Sequence, residues 1–75
     1  MSIDHDQATL LLTLAENIRR ERTRLKMTQE QLAEKADLNI RTVQKIEAGN
    51  LNILVSTADR LRAALGISWN RLLAR

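Results

Sequence analysis

Apolar side chains recur at helical spacing in two short segments at the middle of the chain, and only a few residues separate these segments. Leu32, Ala33 and Ala36 share one face of the first segment, and Val43 and Ile46 share one face of the second. The pattern predicts two short helices. Because alanine is small, the second helix can cross the first closely, at an angle that the short turn fixes. Two helices joined in this way form a helix-turn-helix.

The residues that flank these two segments are of the types that begin and end helices. Thr28 and Gln31 have the spacing of a capping box, in which side-chain and backbone groups satisfy each other. Asp37 stands where the chain must reverse, and we predict a positive φ there, which aspartate tolerates better than most residues. Asn39 is predicted to cap a second helix that begins near residue 40, and Gly49 is predicted to end it.

The N-terminal part of the chain predicts one long helix before this pair. We expect it from about Gln7 to Leu25, with Asp6 as its N-terminal cap and with residues 1–5 as a flexible, non-periodic segment. Its predicted inward residues are Leu11, Leu14, Ala15, Ile18 and Leu25.

The C-terminal part predicts two more helices. One is expected near residues 53–65 and is ended by Gly66, and Ser68 is expected to cap a short last helix. The predicted inward or apolar residues are Val55, Ala58, Leu61, Ala64, Leu65, Trp69, Leu72 and Leu73. Residues 1–75 would then form a single all-α domain, a compact bundle of five helices.

Composition agrees with this fold and excludes several classes of protein. The 75 residues contain no proline, two glycines, and no phenylalanine or tyrosine, which favours helices over strands. Without cysteine there is neither a disulfide framework nor a thiolate metal site, and a reducing cytoplasm is the expected compartment. The run Leu10 to Leu12 is broken by Thr13 and Glu16, so neither a membrane span nor a signal peptide is predicted.

The outward face of the second short helix carries mainly polar and cationic side chains. This face, near the N-terminus of the helix, presents Asn39, Ile40, Arg41, Gln44 and Lys45. Arginine and lysine can donate to guanine and glutamine can pair with adenine, while Ile40 can pack on a thymine methyl group. The alternative is an ordinary solvated helix face. The caps and the turn around this helix favour the first interpretation, in which double-stranded DNA is the partner.

The net charge of +3 is concentrated near the end of the predicted first helix. Arg19, Arg20, Arg22, Arg24 and Lys26 crowd this region, opposed locally only by Glu21. Cations at a helix C-terminus are favourable by themselves, and pairs such as Glu16 with Arg20 or Glu21 with Arg24 would be ordinary surface ion pairs. Beside a helix-turn-helix, the same cluster can also neutralise DNA phosphates, and the two roles are compatible.

Three sequence stretches give the chain a family resemblance. M-T-Q-E-Q-L-A-E-K-A-D-L-N, V-Q-K-I-E-A-G and L-R-A-A-L-G-I-S are similar to the lambda repressor and Cro superfamily, the XRE family, and the resemblance covers roughly residues 14–73. It implies a lambda-repressor-like bundle that binds DNA as a bacterial or phage-encoded, nucleoid-associated protein of the cytoplasm. Asp37 departs from the usual turn glycine, and Ile53 and Leu54 replace a common Pro-Ser pair.

The resemblance also implies roles for individual residues. Gln29 matches a glutamine that holds a phosphate and braces the recognition helix, and Arg22 and Glu47 match a pair across two helices in which the arginine also faces the DNA backbone. A helix N-terminus at Gln29 would add donors to the phosphate. The full set of predicted phosphate contacts is Gln29, Arg22, Arg19, Lys26 and Thr28.

The C-terminal segment raises the question of a second copy. Trp69 is the only aromatic residue, and it either closes the monomer's own core or contributes to a self-complementary interface. Dimers place two recognition helices about 34 Å apart on DNA, one turn of the duplex. We therefore expect a homodimer on an inverted-repeat operator, with an interface drawn from Leu51, Ile53, Ile67, Trp69, Leu72 and Leu73.

Catalysis has little support in the sequence. His5 lies between Asp4 and Asp6, but neighbouring residues near a chain end give no fixed metal geometry. Glu30 and Glu34 are one helical turn apart without a nucleophile or oxyanion donors nearby, and Ser56 and Ser68 fit helix starts. The sequence therefore predicts no enzyme, no metal site and no cofactor.

A protein-binding role on the same scaffold is the main alternative to a regulator that acts through DNA alone. An antitoxin would mask a partner protein and also repress its own operon. Its docking surfaces would be the long first helix and the apolar C-terminal segment, and not the face that carries Arg41 and Gln44.

Overall fold

The computed structural model describes the backbone of residues 3–75 and the side chains of residues 7–75, and it contains five helices within that part of the chain. These are α1 (Ile3–Arg24), α2 (Gln29–Ala36), α3 (Ile40–Glu47), α4 (Val55–Leu65) and α5 (Trp69–Leu73). The predicted all-α, five-helix fold is confirmed. No helix among the described residues is long and apolar enough to cross a bilayer.

A single core holds the five helices together. Helix α1 packs against α3, α4 and α5, and α2 packs against α3 and α4. Each helix contributes one fully buried aliphatic side chain to the centre of this core, namely Ile18, Leu32, Val43, Leu61 and Leu72. Removing such a side chain from water contributes roughly 1.5 to 3 kcal/mol. The small Ala33 and Ala36 are buried as predicted, so α2 lies close to its neighbours.

Helices α1 to α4 all end in the same way, with one left-handed residue followed by a backbone hydrogen bond back into the helix. The left-handed residues are Lys26, Asp37, Gly49 and Gly66. In each case the next residue donates its N–H to a carbonyl five positions earlier, at 2.8 to 3.2 Å, which is the Schellman arrangement. The positive φ predicted at Asp37 is confirmed at 57°. The equal angle at Lys26 is a feature that the sequence did not reveal.

The long first helix differs from its predicted bounds. It begins at Ile3, so Asp6 lies inside the helix and is not its N-terminal cap, and residues 3–5 are helical where a flexible segment was expected. The expectation for residues 1 and 2 lies outside the described residues, as do the side chains of Asp4, His5 and Asp6. At the other end α1 stops at Arg24, which leaves Leu25 in the turn and 39% exposed, outside the core.

The start of α4 is a second correction. The helix begins at Val55, with Leu54 as a cap residue that supplies no side-chain hydrogen bond. Ala58, Leu61, Ala64 and Leu65 are buried as predicted. Val55 was expected to face inward with them, but it is 77% exposed because the bundle does not extend over the first turn of α4.

Candidate nucleic-acid interface

Side-chain caps fix the beginnings of α2 and α3. The hydroxyl of Thr28 accepts from the N–H of Gln31 at 3.0 Å, and the side-chain oxygen of Gln31 accepts from the N–H of Thr28 at 2.8 Å. Asn39 Oδ1 accepts from the N–H of Arg41 at 2.8 Å. The predicted capping box and the predicted asparagine cap are therefore confirmed, and they define the turn that sets α3 against α2.

The outward face of α3 presents polar and cationic side chains to solvent. Arg41, Gln44 and Lys45 are exposed. Among side chains 7–75, neither Arg41 nor Lys45 lies within ion-pair distance of a carboxylate. The positive charge of this face is therefore not compensated within the described structure, as a surface that meets phosphates and guanine edges requires.

Two of the five residues predicted for this face are placed differently from the other three. Ile40 is half-buried and packs against the core. It is therefore not the fully outward side chain that we expected. Asn39 is exposed, but its oxygen is occupied by the cap. Its amide N–H groups remain available to a base.

Glu47, at the end of α3, is the point at which three helices are joined. Its side chain is buried, with 3% of the residue exposed, and Arg22 donates to both carboxylate oxygens, at 2.7 and 2.9 Å. Gln29 Nε2 adds a third donor at 3.2 Å, and Arg19 donates to the backbone carbonyl of Glu47 at 3.0 Å. The structure thus brings together the expected Arg22–Glu47 pair and adds Arg19 and Gln29 to it.

The basic cluster that the sequence shows near the end of α1 is divided between two sides of the helix. Arg19 and Arg22 contact α3 through Glu47. Arg20 and Arg24 lie near Glu21 on the side that faces α5. Only the first pair contacts the recognition helix, so these four arginines do not lie together on one surface.

Glu21 is not the surface carboxylate that the sequence suggested. It is 1% exposed, and its two oxygens accept from Arg24 and from Arg71 of α5, each at 2.9 Å. Burial by itself would raise the pKa of Glu21, but the hydrogen bonds and charges of Arg24 and Arg71 outweigh burial and lower the pKa below its ordinary value. Glu21 therefore remains ionised at neutral pH and fastens α5 to α1.

The remaining predicted phosphate contacts lie beside the junction of α1 and α2. Lys26 and Thr28 are exposed, and Gln29 is half-buried at the first position of α2. Their placement at a helix N-terminus is compatible with an anion.

Asn17 joins α1 to the C-terminal end of the chain, a contact that the sequence did not predict. It is buried in α1, and its Nδ2 donates to the carbonyls of Leu72 and Ala74 at 2.7 Å each. These bonds hold the end of the five-residue helix α5, which is too short to be stable alone. In the sequence, an asparagine among the inward apolar positions of α1 could have indicated a buried polar contact.

The predicted dimer residues fall into two groups. Ile67 and Leu72, which we expected in an interface, are buried in the monomer's own core and have almost no surface left to lose in one. Leu51 and Ile53 are partly buried against the core. Trp69 and Leu73 are partly exposed, and the guanidinium of Arg62 lies 5.4 Å from the Trp69 ring. Leu54 and Val55, which the sequence did not single out, are the most exposed large apolar residues, at 72% and 77%.

Comparison with known proteins agrees with this arrangement. Residues 18–72 match a family model described as helix-turn-helix. A hypothetical transcription factor from Neisseria, NHTF, is 34% identical, and the match covers 85% of this chain and 74% of that one with a TM-score of 0.82. The restriction-modification controller protein C.AhdI from Aeromonas hydrophila is 29% identical, with coverage of 83% and 94% and a TM-score of 0.80. No curated protein gives a significant match.

The match covers all of the capped α2–turn–α3 unit and the residues that converge on Glu47. A face of uncompensated cations on α3, held by α1 and α2, is what such a unit requires to enter a major groove. This chain belongs to the XRE family of helix-turn-helix proteins and is a DNA-binding transcription regulator.

Proposed function

We propose that the protein is a sequence-specific regulator that binds double-stranded DNA as a homodimer on an inverted-repeat operator and represses transcription. The observation that supports this most directly is the exposed face of α3, where Arg41, Gln44 and Lys45 point away from the core and the two cations lack carboxylate partners among the described side chains. In this proposal Arg41 and Gln44 read bases, with Lys45, Asn39 and part of Ile40 at the edge of the contact.

Selection of bound sequences from a random duplex pool tests sequence-specific binding, half-site symmetry and base preference together. We expect enrichment of an inverted repeat whose half-sites are about one duplex turn apart. Failure to enrich any sequence would contradict the proposal.

Variants then separate the residues that read bases from those that attach to phosphate. Arg41→Ala and Gln44→Ala should each cost about 1 to 3 kcal/mol on the selected site and relax preference at one position. Gln29→Ala should weaken selected and random duplexes about equally, because a phosphate contact carries no sequence information. If all three variants weakened every duplex alike, the assigned reading face would be incorrect.

The exposed apolar residues of the α3–α4 connection and of α5 support the homodimer. Leu54 and Val55 are largely exposed, and Trp69 and Leu73 are partly so. Two copies that join through such surfaces would bury apolar area and set the distance between their recognition helices. Sedimentation should show a dimer that Leu54→Asp weakens. A monomer at high micromolar concentration without DNA would reject this part of the proposal.

An antitoxin that neutralises a partner protein and regulates its own operon is a second candidate, and one observation favours it. Leu10 and Leu12 of α1 are 44% and 54% exposed, in a part of the helix that precedes the family match. The similarity to a restriction-modification controller favours a different context. The neighbouring genes would distinguish the two, since a toxin gene favours the first context and a restriction and modification pair favours the second.

A further inference from the structure

The last turn of the recognition helix α3 has carbonyl groups that no residue within the helix can satisfy. A helix leaves its final carbonyls without intrahelical donors, and the residues that follow must supply them. Gly49 and Asn50 do so for two of these groups, each with an N–H that donates at 3.0 Å. The next carbonyl, that of Glu47, accepts instead from Nη1 of Arg19 at 3.0 Å, across 28 positions of sequence.

We propose that Arg19 is a positioning residue that caps the recognition helix from outside and thereby sets how α3 enters the DNA groove. The inference rests on the proposed DNA-binding function and deepens it. The sequence predicts Arg19 only as one of several phosphate contacts. The structure gives it a different partner, the backbone of the helix that reads the bases.

Because α3 is short, a contact at its end affects the orientation of the whole helix. The helix has eight residues and is therefore about 12 Å long, too short to be stable or to hold its direction by itself. Its C-terminal end is fixed at Glu47 through two kinds of group. Arg22 and Gln29 hold the carboxylate, and Arg19 alone among these side chains holds the main chain. A small rotation at this end moves Arg41 and Gln44 relative to the bases.

The charge of Arg19 strengthens the same contact. A guanidinium at a helix C-terminus lies at the negative end of the helix dipole, and a charged donor bonds a carbonyl more strongly than a neutral one. The N–H of Nη1 that donates to the Glu47 carbonyl is not available to a phosphate. A positioning role and a phosphate contact therefore predict different results when the side chain is removed.

The test compares Arg19→Met with Arg20→Met on the duplex selected by the wild-type protein and on a scrambled duplex of equal length. Both variants lose one charge and keep an apolar stem. Arg20 is the matched control because it is exposed and approaches only Glu21, at 3.7 Å, on the other side of α1. Dissociation constants are measured over a series of salt concentrations, after circular dichroism has shown that each variant is folded.

We expect Arg19→Met to reduce the ratio of selected to scrambled affinity about tenfold, the effect of losing one charged hydrogen bond. Its salt slope should equal that of Arg20→Met. Hydrogen exchange at the amides of Gly49 and Asn50 should also be faster in Arg19→Met but not in Arg20→Met. The reason is that the turn after α3 loses the hydrogen bond from Arg19 to the Glu47 carbonyl. A merely global loss of stability would leave the affinity ratio of the folded protein unchanged.

Two results would overturn the inference. One is an equal loss on both duplexes with a salt slope smaller by about 0.9 than in Arg20→Met, which is the signature of a phosphate contact. The other is an affinity ratio that matches the control. If Arg19→Met does not fold, Arg19→Lys keeps the charge without the planar donor geometry, and it should still lower the ratio. A wild-type protein that selects no sequence would instead refute the proposed function.

Discussion

Replacing Asp37 by glycine should stabilise the protein, because this aspartate holds a backbone conformation that glycine adopts without strain. Asp37 ends α2 with φ 57° and ψ 49°. The left-handed region costs a residue with a Cβ about 1 to 2 kcal/mol, with aspartate at the low end. The substitution also has a cost, because glycine gives the unfolded chain more conformational entropy. This cost lowers the free energy of unfolding by about 0.4 to 1 kcal/mol.

Other terms at this position favour the substitution slightly. The described hydrogen bonds of Asp37 use its backbone only, from its N–H to Glu34 and from Arg60 to its carbonyl at 3.4 Å, and glycine retains both. The change also removes a negative charge from the C-terminal end of α2, where the helix dipole disfavours it by about 0.3 kcal/mol or more. The net expectation is a gain of about 0.5 kcal/mol in the free energy of unfolding, or about 2 to 4 °C in Tm for a domain of this size.

Urea denaturation measures the change, with the slope m expected to stay constant. Lys26→Gly is a matched variant, since Lys26 has the same φ at the end of α1. Gly66→Ala is the reverse control. An added Cβ at Gly66 meets no heavy atom within 4 Å, so its expected loss of about 1 kcal/mol reflects the backbone alone. The affinity of Asp37→Gly for the selected duplex should be unchanged, because the turn keeps its angles.

The reasoning fails if Asp37→Gly is no more stable than wild type while Gly66→Ala loses the expected amount. In that case the left-handed cost at Asp37 is already offset by an interaction of its carboxylate. Asp37→Asn, which keeps the tolerance for this region but removes the charge, would then identify whether the charge supplies that interaction.

Three further outcomes are expected. Glu47→Gln should lower the free energy of unfolding by about 3 kcal/mol in urea, because it leaves the half-buried guanidinium of Arg22 without its anion; an unchanged midpoint would show that Arg22 finds another acceptor. For Glu21, the lowered pKa means that its stabilisation is complete above the ordinary value of 4.5 and is lost as pH falls through the folded-state pKa. The difference in stability between wild type and Glu21→Gln should therefore be constant near neutrality and shrink below pH 4.5. Asn17→Ala should release α5, seen as a shift in Trp69 fluorescence before global unfolding; coincident transitions would contradict it.

The features that sequence could predict are those whose causes are local. The capping box at Thr28, the asparagine cap at Asn39 and the left-handed turn at Asp37 each depend on residues within a few positions of one another. The buried stripe of α2 follows from helical spacing in the same way. The ends of α1 were less predictable, since Lys26 adopts its left-handed angle only because the chain must turn into α2.

The candidate site was predictable in composition but not in its supporting contacts. The exposed Arg41, Gln44 and Lys45 follow from the periodicity of α3. Whether a given arginine of α1 faces α3 or α5 depends on which helix packs on each side of α1. Side-chain periodicity predicts which face is buried but not which helix covers it. The same limit explains why Ile67 and Leu72 were assigned to an interface although the monomer buries them.

The sequence by itself determined five helices, the caps of α2 and α3 and the face that α3 turns outward, because hydrogen bonds and side-chain periodicity over a few residues decide these. Tertiary structure alone decided that Arg19 and Arg22 meet Glu47 and that Arg71 meets Glu21, contacts that join residues 25 to 50 positions apart. It also decided that Val55 is exposed and Glu21 buried. The physical reason is that burial and ion pairing depend on distances between helices, which packing of the common core fixes only after the chain has folded.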